Sequence, residues 1–368
     1  MKRIISLTAV MMMASSSAFA AGFAQHSHSA AAAGVADAYA ASANDASAVV
    51  YNPAAIAWLP GVSITGGLAL NYRDSSAKIT GGITPNEGSE ATVGHIYATW
   101  APLDSRWGIG FGFVPLYSIN NDWSSDGLAG NTKLTVDHAS FDGVYAINSS
   151  LAVAAGLDWY ISRATLTQAG NSFDNNNFST FGGHASIMWK PAPSWSTGLT
   201  YRSGAKIDIS GAAPQTFSFK LPDEVTVAIA RDFADVWRVE TDVKWTRWSA
   251  LKNMDYTGSL GLQANPLALR DTITAMAGVT FTWYPDSQLR FGYAYEQGAN
   301  KVAGYNPIIA DQDGHRVSLG IGGEVANMHL DLGYNYTYYP NKTVTGAFAG
   351  TYRDRKQSLV FSISKTFD

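Results

Sequence analysis

From Pro60 to the end of the chain, apolar and polar side chains alternate with period two in segment after segment. In WRVETDVKWTRW, Trp237–Trp248, one face carries Trp237, Val239, Thr241, Val243 and Trp245, and the other Arg238, Glu240, Asp242 and Lys244. In LRFGYAYE, Leu289, Phe291, Tyr293 and Tyr295 share a face. In MHLDLGYNYTY, Leu330, Leu332, Tyr334, Tyr336 and Tyr338 lie opposite His329, Asp331 and Asn335. LVFSISKTF sets Leu359, Phe361, Ile363 and Phe367 against Ser362, Ser364 and Thr366. Successive side chains of an extended chain point to opposite faces, so the pattern predicts strands with one apolar and one polar side. Fourteen such segments begin near residues 61, 91, 107, 132, 151, 178, 195, 215, 236, 272, 288, 314, 328 and 357.

The connections between them alternate in length. Short ones fall near 102–106, 148–149, 191–194, 233–235, 285–287 and 326–327, and longer ones near 73–90, 117–131, 168–177, 203–214, 249–271, 297–313 and 339–356. An even number of strands, with short turns at one end and long loops at the other, predicts an all-β, 14-stranded antiparallel transmembrane β-barrel of the bacterial outer membrane. Backbone amides in hydrocarbon need partners, and a sheet provides them for every strand only by closing on itself. The apolar face then meets lipid, and Arg238, Glu240, Asp242 and Lys244 point into the lumen. Trp and Tyr near strand ends form the interfacial girdles. Arg247 breaks the outward pattern at a strand end, where its long side chain can reach the headgroups. Both termini and the short turns face the periplasm.

Composition agrees. Of 368 residues, 15% are charged, against about 25% in an ordinary soluble protein. Aromatics reach 12% and glycines number 35, which suits a lipid-facing surface. The N-terminus has Lys2 and Arg3, an apolar run and a small-x-small site at Ala18-Phe19-Ala20, so residues 1–20 read as a signal peptide with Ala21 as the mature start. Taking Lys2 and Arg3 from the 25 basic residues leaves 23 against 29 acidic ones, a formal charge of -6 that argues against nucleic acid as a partner. The later chain has no apolar run of about 20 residues, so no membrane helix is expected. There is no cysteine.

Residues 21–60 do not alternate. They are rich in Ala and Ser, with Asp37, Asn44 and Asp45 interspersed. Asn52 suits a helix N-cap and Pro53 the first helical position, which predicts a short helix over Ala54–Ala57 ending before Pro60. Some forty such residues ahead of a closed barrel fit as an N-terminal helical hatch in the lumen, with the barrel over 61–368. A plugged barrel cannot pass solutes nonselectively. It needs a binding path, a gate or a sideways exit.

These segments resemble the FadL/TodX family of outer-membrane transporters for long-chain fatty acids and other hydrophobic compounds. The likeness runs through AGF at 21–23, GVADAYAASANDASAVVYNPA at 34–54, YRSGAKIDISG at 201–211, LPDEVTVAIARDF at 221–233, VETDVKWTRWS at 239–249 and DQDGHRVSLGIG at 311–322. The resemblance implies a hatch holding Asn52, Pro53 and Ala54, and places Phe23 near a lumenal hydrophobic site. It implies capture at extracellular loops and lateral exit through a kinked third strand. Here that strand is WGIGFGFVPL, whose Gly108, Gly110, Gly112 and Pro115 favour bending or lost pairing, though the glycines also suit close packing of the hatch. Tyr117, Trp123 and Phe173 are candidate capture residues, and Arg202 and Lys206 candidate carboxylate anchors, unless these two simply pair in the lumen or meet lipopolysaccharide. The resemblance gives no match for the family's inner-site basic residues. Short loops lean slightly toward a small ligand.

The expected function is passive uptake of long-chain fatty acids or other hydrophobic compounds, with a small monoaromatic hydrocarbon channel or a general porin as alternatives. No GxxxxGK[ST] fingerprint is present, and no nucleotide, metal or other cofactor is expected. His95, His138, His184, His315 and His329 fall on different strands with no nucleophile beside them, and His26 with His28 supplies only two metal ligands, so neither hydrolase nor metal site is expected. Expected partners are the hydrophobic solute, lipopolysaccharide and outer-membrane lipid, and the barrel-assembly machinery. The protein is expected to be monomeric. An aromatic such as Phe367 commonly ends these barrels, and here Asp368 follows it.

Overall fold

The computed structural model describes residues 23–79, 82–86, 90–123, 131–168, 171–234, 236–258, 261–263, 266–284, 287–300, 305, 309, 311–346 and 348–367. The signal peptide over 1–20, the start at Ala21 and the final Asp368 lie outside them.

Fourteen strands form the wall: β1 (Gly61–Ile79), β2 (Glu90–Ala101), β3 (Trp107–Asp122), β4 (Asn131–Asn148), β5 (Leu151–Gln168), β6 (Asn171–Ala192), β7 (Trp195–Arg202), β8 (Glu224–Phe233), β9 (Trp237–Thr246), β10 (Thr272–Tyr284), β11 (Ser287–Glu296), β12 (Gly314–Val325), β13 (Met328–Val344) and β14 (Gly350–Phe367). Each pairs antiparallel with the next. The ladder closes between β14 and β1, from Val62 opposite Phe367 to Lys78 opposite Thr351. The short strand Gly82–Pro85 folds back on the outer end of β1.

The charged face of β9 points inward. Trp237, Val239 and Val243 are exposed on the lipid side, whereas Glu240 and Asp242 are buried inside. Near the periplasmic turns Trp100 stands edge-on to Trp107 at 5.3 Å, and Trp237 lies 4.3 Å from Phe281. Arg247 is exposed and lies 3.6 Å from Asp223.

Two expectations are corrected. The segment expected near 215 is not a wall strand. Thr216–Lys220 joins Lys206–Ser210, Asp255–Gly258 and Gly261–Gln263 in a separate four-stranded sheet, and the wall resumes at Glu224. Phe217, Phe219 and Leu221 alternate as a wall strand would, but their apolar face lies buried in the core with Trp248 and Leu251. The supposed long loops near 168–177 and 339–356 are largely strand, because the β5–β6 and β13–β14 ladders run on to Gln168–Asn171 and Val344–Gly350.

Inside the barrel, residues 23–60 form α1 (Ala30–Gly34), α2 (Ala48–Tyr51) and the 3-10 turn Pro53–Trp58. Small residues let this hatch lie against the wall. The Cα of Gly34 and of Gly320 approach so closely that a Cβ on Gly34 would stand 2.9 Å from Gly320.

Candidate functional site

Asn52 caps the turn that follows it, with its side-chain oxygen accepting from Ala54 N at 3.2 Å. Its amide donates to Ala40 O at 2.8 Å and Ile187 O at 3.3 Å, so one side chain ties hatch to hatch and hatch to wall. Pro53 occupies the first turn, where a missing N–H costs nothing, and Ala54 N also donates to Ser186 Oγ at 3.0 Å. Three strands along the wall, on β9, Asp242 accepts from the Tyr39 and Ala40 amides at 3.1 Å each and Glu240 from Ala41 N at 2.6 Å. Arg316 bridges Asp37 at 2.7 Å and Glu296 at 3.1 Å. Burial alone would raise the Asp37 carboxyl, but Arg316 holds it below its ordinary range. The lumenal charges of the wall thus fasten the hatch.

Between β2 and β3 the ladder covers only Ile96–Trp100 opposite Phe113–Ile109. Above Phe113 the two strands part. β3 stays paired with β4, with a register shift between Pro115 and Tyr117. Pro115 has no N–H to give, and the shift turns the strand inward. The freed edge of β3 is taken by the N-terminal segment. Gln25 N donates to Leu116 O at 2.7 Å, and Ser118 N donates to Phe23 O at 2.9 Å. A crevice of about 10 Å³, lined by Gln25, Asn71, Val93, His95 and Pro115 among others, lies in the gap. Farther out the gap ends at Asn86, which donates to Asn121 at 2.7 Å and accepts from Asp122 N at 2.9 Å.

Gly110 and Gly112 lie within the β2–β3 ladder and Gly108 just below it, all three facing the hatch. A Cβ on Gly110 would meet Ile56 and Val49 at 2.8 Å, and one on Gly112 would meet Val49 at 2.7 Å. These glycines admit the hatch, and Pro115 marks the parting.

The strap carries Phe23 into an aromatic box. Its ring centre lies 4.9 Å from Trp248, 5.6 Å from Tyr117 and 6.4 Å from Phe219. Beside the box is a cavity of about 80 Å³, lined by Gln25, His28, Leu116, Arg202, Lys244 and Met276 among others. Burial pushes the His28 imidazole down to about 3, so it is neutral at pH 7.

The sequence-based candidates do not gather in one place. Phe23 and Tyr117 meet in the box. Trp123 is buried against Tyr352 at 6.1 Å, and Phe173 packs on Phe217 at 6.2 Å, because both strands run beyond the membrane into apolar clusters. Arg202 lines the cavity but already holds Asp158 at 2.7 Å. Lys206 lies on the small extracellular sheet, exposed and paired with Asp208 at 2.9 Å. Lys244, on the inner face of β9, also lines the cavity, and among the described residues it has no ion pair or hydrogen bond. Sequence reasoning passed over Phe219 and Trp248, since only the fold brings these loops above Phe23.

The histidines are not all isolated. Neighbouring strands bring His138 and His184 together on Asp158, at 2.6 and 2.8 Å, and His184 also meets Asp142 at 2.5 Å. Ser140 Oγ donates to Asp142, not to an imidazole, so nothing there withdraws its proton as nucleophilic catalysis requires.

A closed 14-stranded outer-membrane barrel with a fastened hatch and a buried aromatic box is a selective channel rather than an open pore. The chain belongs to the outer membrane protein transport protein family (OMPP1/FadL/TodX), whose family model matches residues 11–364. It is 23% identical over 435 residues to the long-chain fatty acid transport protein of Escherichia coli O6:H1, covering 97% of this chain and 96% of that one. Solved structures with the same fold include a Pseudomonas aeruginosa FadL homologue, at TM-score 0.83 and 18% identity, covering 95% of this chain and all of that one. Another is the P. putida toluene transporter TodX, at TM-score 0.72 and 16% identity, covering 92% and 98%. The protein is a multi-spanning outer-membrane channel for hydrophobic small molecules. Transport is passive, and the protein is not an enzyme.

Proposed function

We propose that the substrate is a compact hydrophobic compound about the size of one aromatic ring, of the monoaromatic hydrocarbon kind. The observation that carries this is the benzyl ring of Phe23, seated in a box of Tyr117, Phe219 and Trp248. Edge-on and tilted aromatic neighbours favour another ring beyond the area they bury. A dry apolar cavity of about 150 Å³ takes benzene. The cavity of about 80 Å³ is smaller and is lined by charged groups, Arg202, Glu224, Asp242 and Lys244 among them, so the apolar seat is the aromatic box itself once the Phe23 ring withdraws. A long acyl chain would need a tunnel several times longer. Two relatives named as toluene transporters share the fold.

The route begins under the small extracellular sheet, whose inner face offers Ile207, Ile209 and Phe217. The solute displaces Phe23, the strap leaves the edge of β3, and the gap between β2 and β3 becomes the exit into the bilayer. Lys244 and Arg202 leave room for a second reading, a carboxylate head held beside the box. The curated relatives named as long-chain fatty acid transport proteins favour that reading. Residues 1–20 would direct export, and Phe367, exposed on the outer face, would serve the assembly machinery.

Uptake in cells lacking their own transporters of this kind decides between the readings, with labelled toluene and oleate compared at equal expression. The proposal expects faster toluene entry and little change for oleate. Oleate uptake without any gain for toluene overturns it.

A further inference from the structure

We infer that the outer face where β13, β14 and β1 meet binds the phosphate groups of the outer-leaflet lipid, through Lys78, Arg353 and Arg355. Register places all three on the lipid side. Arg355 lies opposite Asp74, Arg353 opposite Ser76, and Lys78 opposite Thr351. Lys78 and Arg353 are exposed. Cross-strand diagonals and same-face neighbours on a strand stand about 7 Å apart, so one phosphate group can bridge two of these cations.

Three cations on adjoining strands crowd this face. Elsewhere on the extracellular rim three basic residues each have a carboxylate partner: Lys206 with Asp208 at 2.9 Å, Arg247 with Asp223 at 3.6 Å and Arg270 with Asp313 at 3.3 Å. Here, among the described residues, three cations share Asp74, which lies 3.3 Å from Arg353. The inward neighbours Arg73 and Asp354 satisfy each other at 2.6 Å. A surplus of positive charge on a chain of formal charge -4 calls for an anion from outside. Arg355 is also held in place: its guanidinium sits 4.1 Å above the Tyr338 ring and donates to Tyr339 O at 2.7 Å.

Height identifies the anion. From Phe367 to Arg355, at ~3.3 Å per residue and a tilt of ~40°, β14 climbs about 30 Å, just above an apolar band of ~25 Å. Below the cations the same faces show Leu70, Tyr72, Tyr338, Leu359 and Phe361 to the lipid. Cations over an apolar, aromatic wall fit a molecule with phosphates above acyl chains, which is lipid A. A free anion would gain nothing from the wall.

The test titrates folded protein in detergent with bisphosphoryl lipid A, with its dephosphorylated form and with inorganic phosphate, reading bound ligand by native mass spectrometry. Wild type should favour the bisphosphoryl form at least tenfold over the other two. The triple variant Lys78→Ser, Arg353→Ser and Arg355→Ser should lose that preference. The rim control Lys206→Ser, Arg247→Ser and Arg270→Ser should keep it, as should Arg353→Lys with Arg355→Lys. A heat-dependent gel shift checks folding, and if the triple variant does not fold, Lys78→Ser alone should still weaken lipid A several-fold. Toluene uptake should not change in any variant, so this site stands or falls apart from the transport proposal. The inference is overturned if the folded variants bind like wild type, if the rim control loses as much, if dephosphorylated lipid A binds equally, or if inorganic phosphate alone binds as tightly.

Discussion

Phe23 is the only ring the N-terminal strap contributes to the box, and its three aromatic neighbours come from β3, the small extracellular sheet and the loop after β9. Truncating a buried Phe to Ala costs about 3–5 kcal/mol. Since Phe23 lies at the start of the hatch, ahead of its first helix, that loss should fall on the strap and leave the barrel intact. Phe23→Ala should therefore speed amide exchange at residues 23–29 on the order of a hundredfold, with an unchanged heat-dependent gel shift. Equal exchange would mean that the box does not hold the strap. Phe23 was legible through its place in AGF, and Asn52 and Pro53 through the chemistry of a helix start. Phe219 and Trp248 were not, because period-two alternation looks the same in an extracellular sheet as in the wall.

The elements that matter most are β3 and the strap beside it. Restoring regular pairing should close the gap. Pro115→Thr combined with deletion of Leu116 removes both the missing donor and the extra residue, and uptake of the preferred solute should fall toward that of cells without the protein. Unchanged uptake would rule out exit through this wall. Gly110→Val should act differently, since its first added carbon would already stand 2.8 Å from Val49 and Ile56. That side chain forces the hatch away from β3, so the yield of folded protein should drop and, in what folds, ion conductance should rise. The glycines and Pro115 were visible as breaks in the strand pattern. Their separate roles were not, because only register shows that pairing with β2 ends at Phe113, just past Gly112.

On the scale of the whole molecule, the barrel holds its hatch by charges that alternation alone had assigned to the lumen. Fourteen strands, their number and closure were legible, as was the inward direction of Glu240 and Asp242. What these groups bind was not, since their partners are backbone amides of a segment with no periodic signal. Breaking a buried pair from one side costs about 3–5 kcal/mol, so Arg316→Met should loosen the hatch and give frequent channel openings in planar bilayers where wild type stays closed. Asp37 adds a pH dependence. Its carboxyl is depressed, so the link to Arg316 is fully present above about pH 3.9 and is lost as the pH falls through the lower folded value. Conductance should then stay low from pH 7 to 5 and rise only below about pH 4. The central claim is that solute passes only when the strap leaves β3. Ala24 and Tyr117 face each other across that short ladder as a pair without mutual hydrogen bonds, a geometry whose Cα spacing of ~4.5 Å permits a disulfide. The chain has no cysteine of its own. The most direct measurement is uptake by the Ala24→Cys, Tyr117→Cys variant before and after reduction, with each single variant as control. The account predicts negligible uptake when oxidised and recovery to the level of the single variants when reduced. Equal uptake in both states would contradict it.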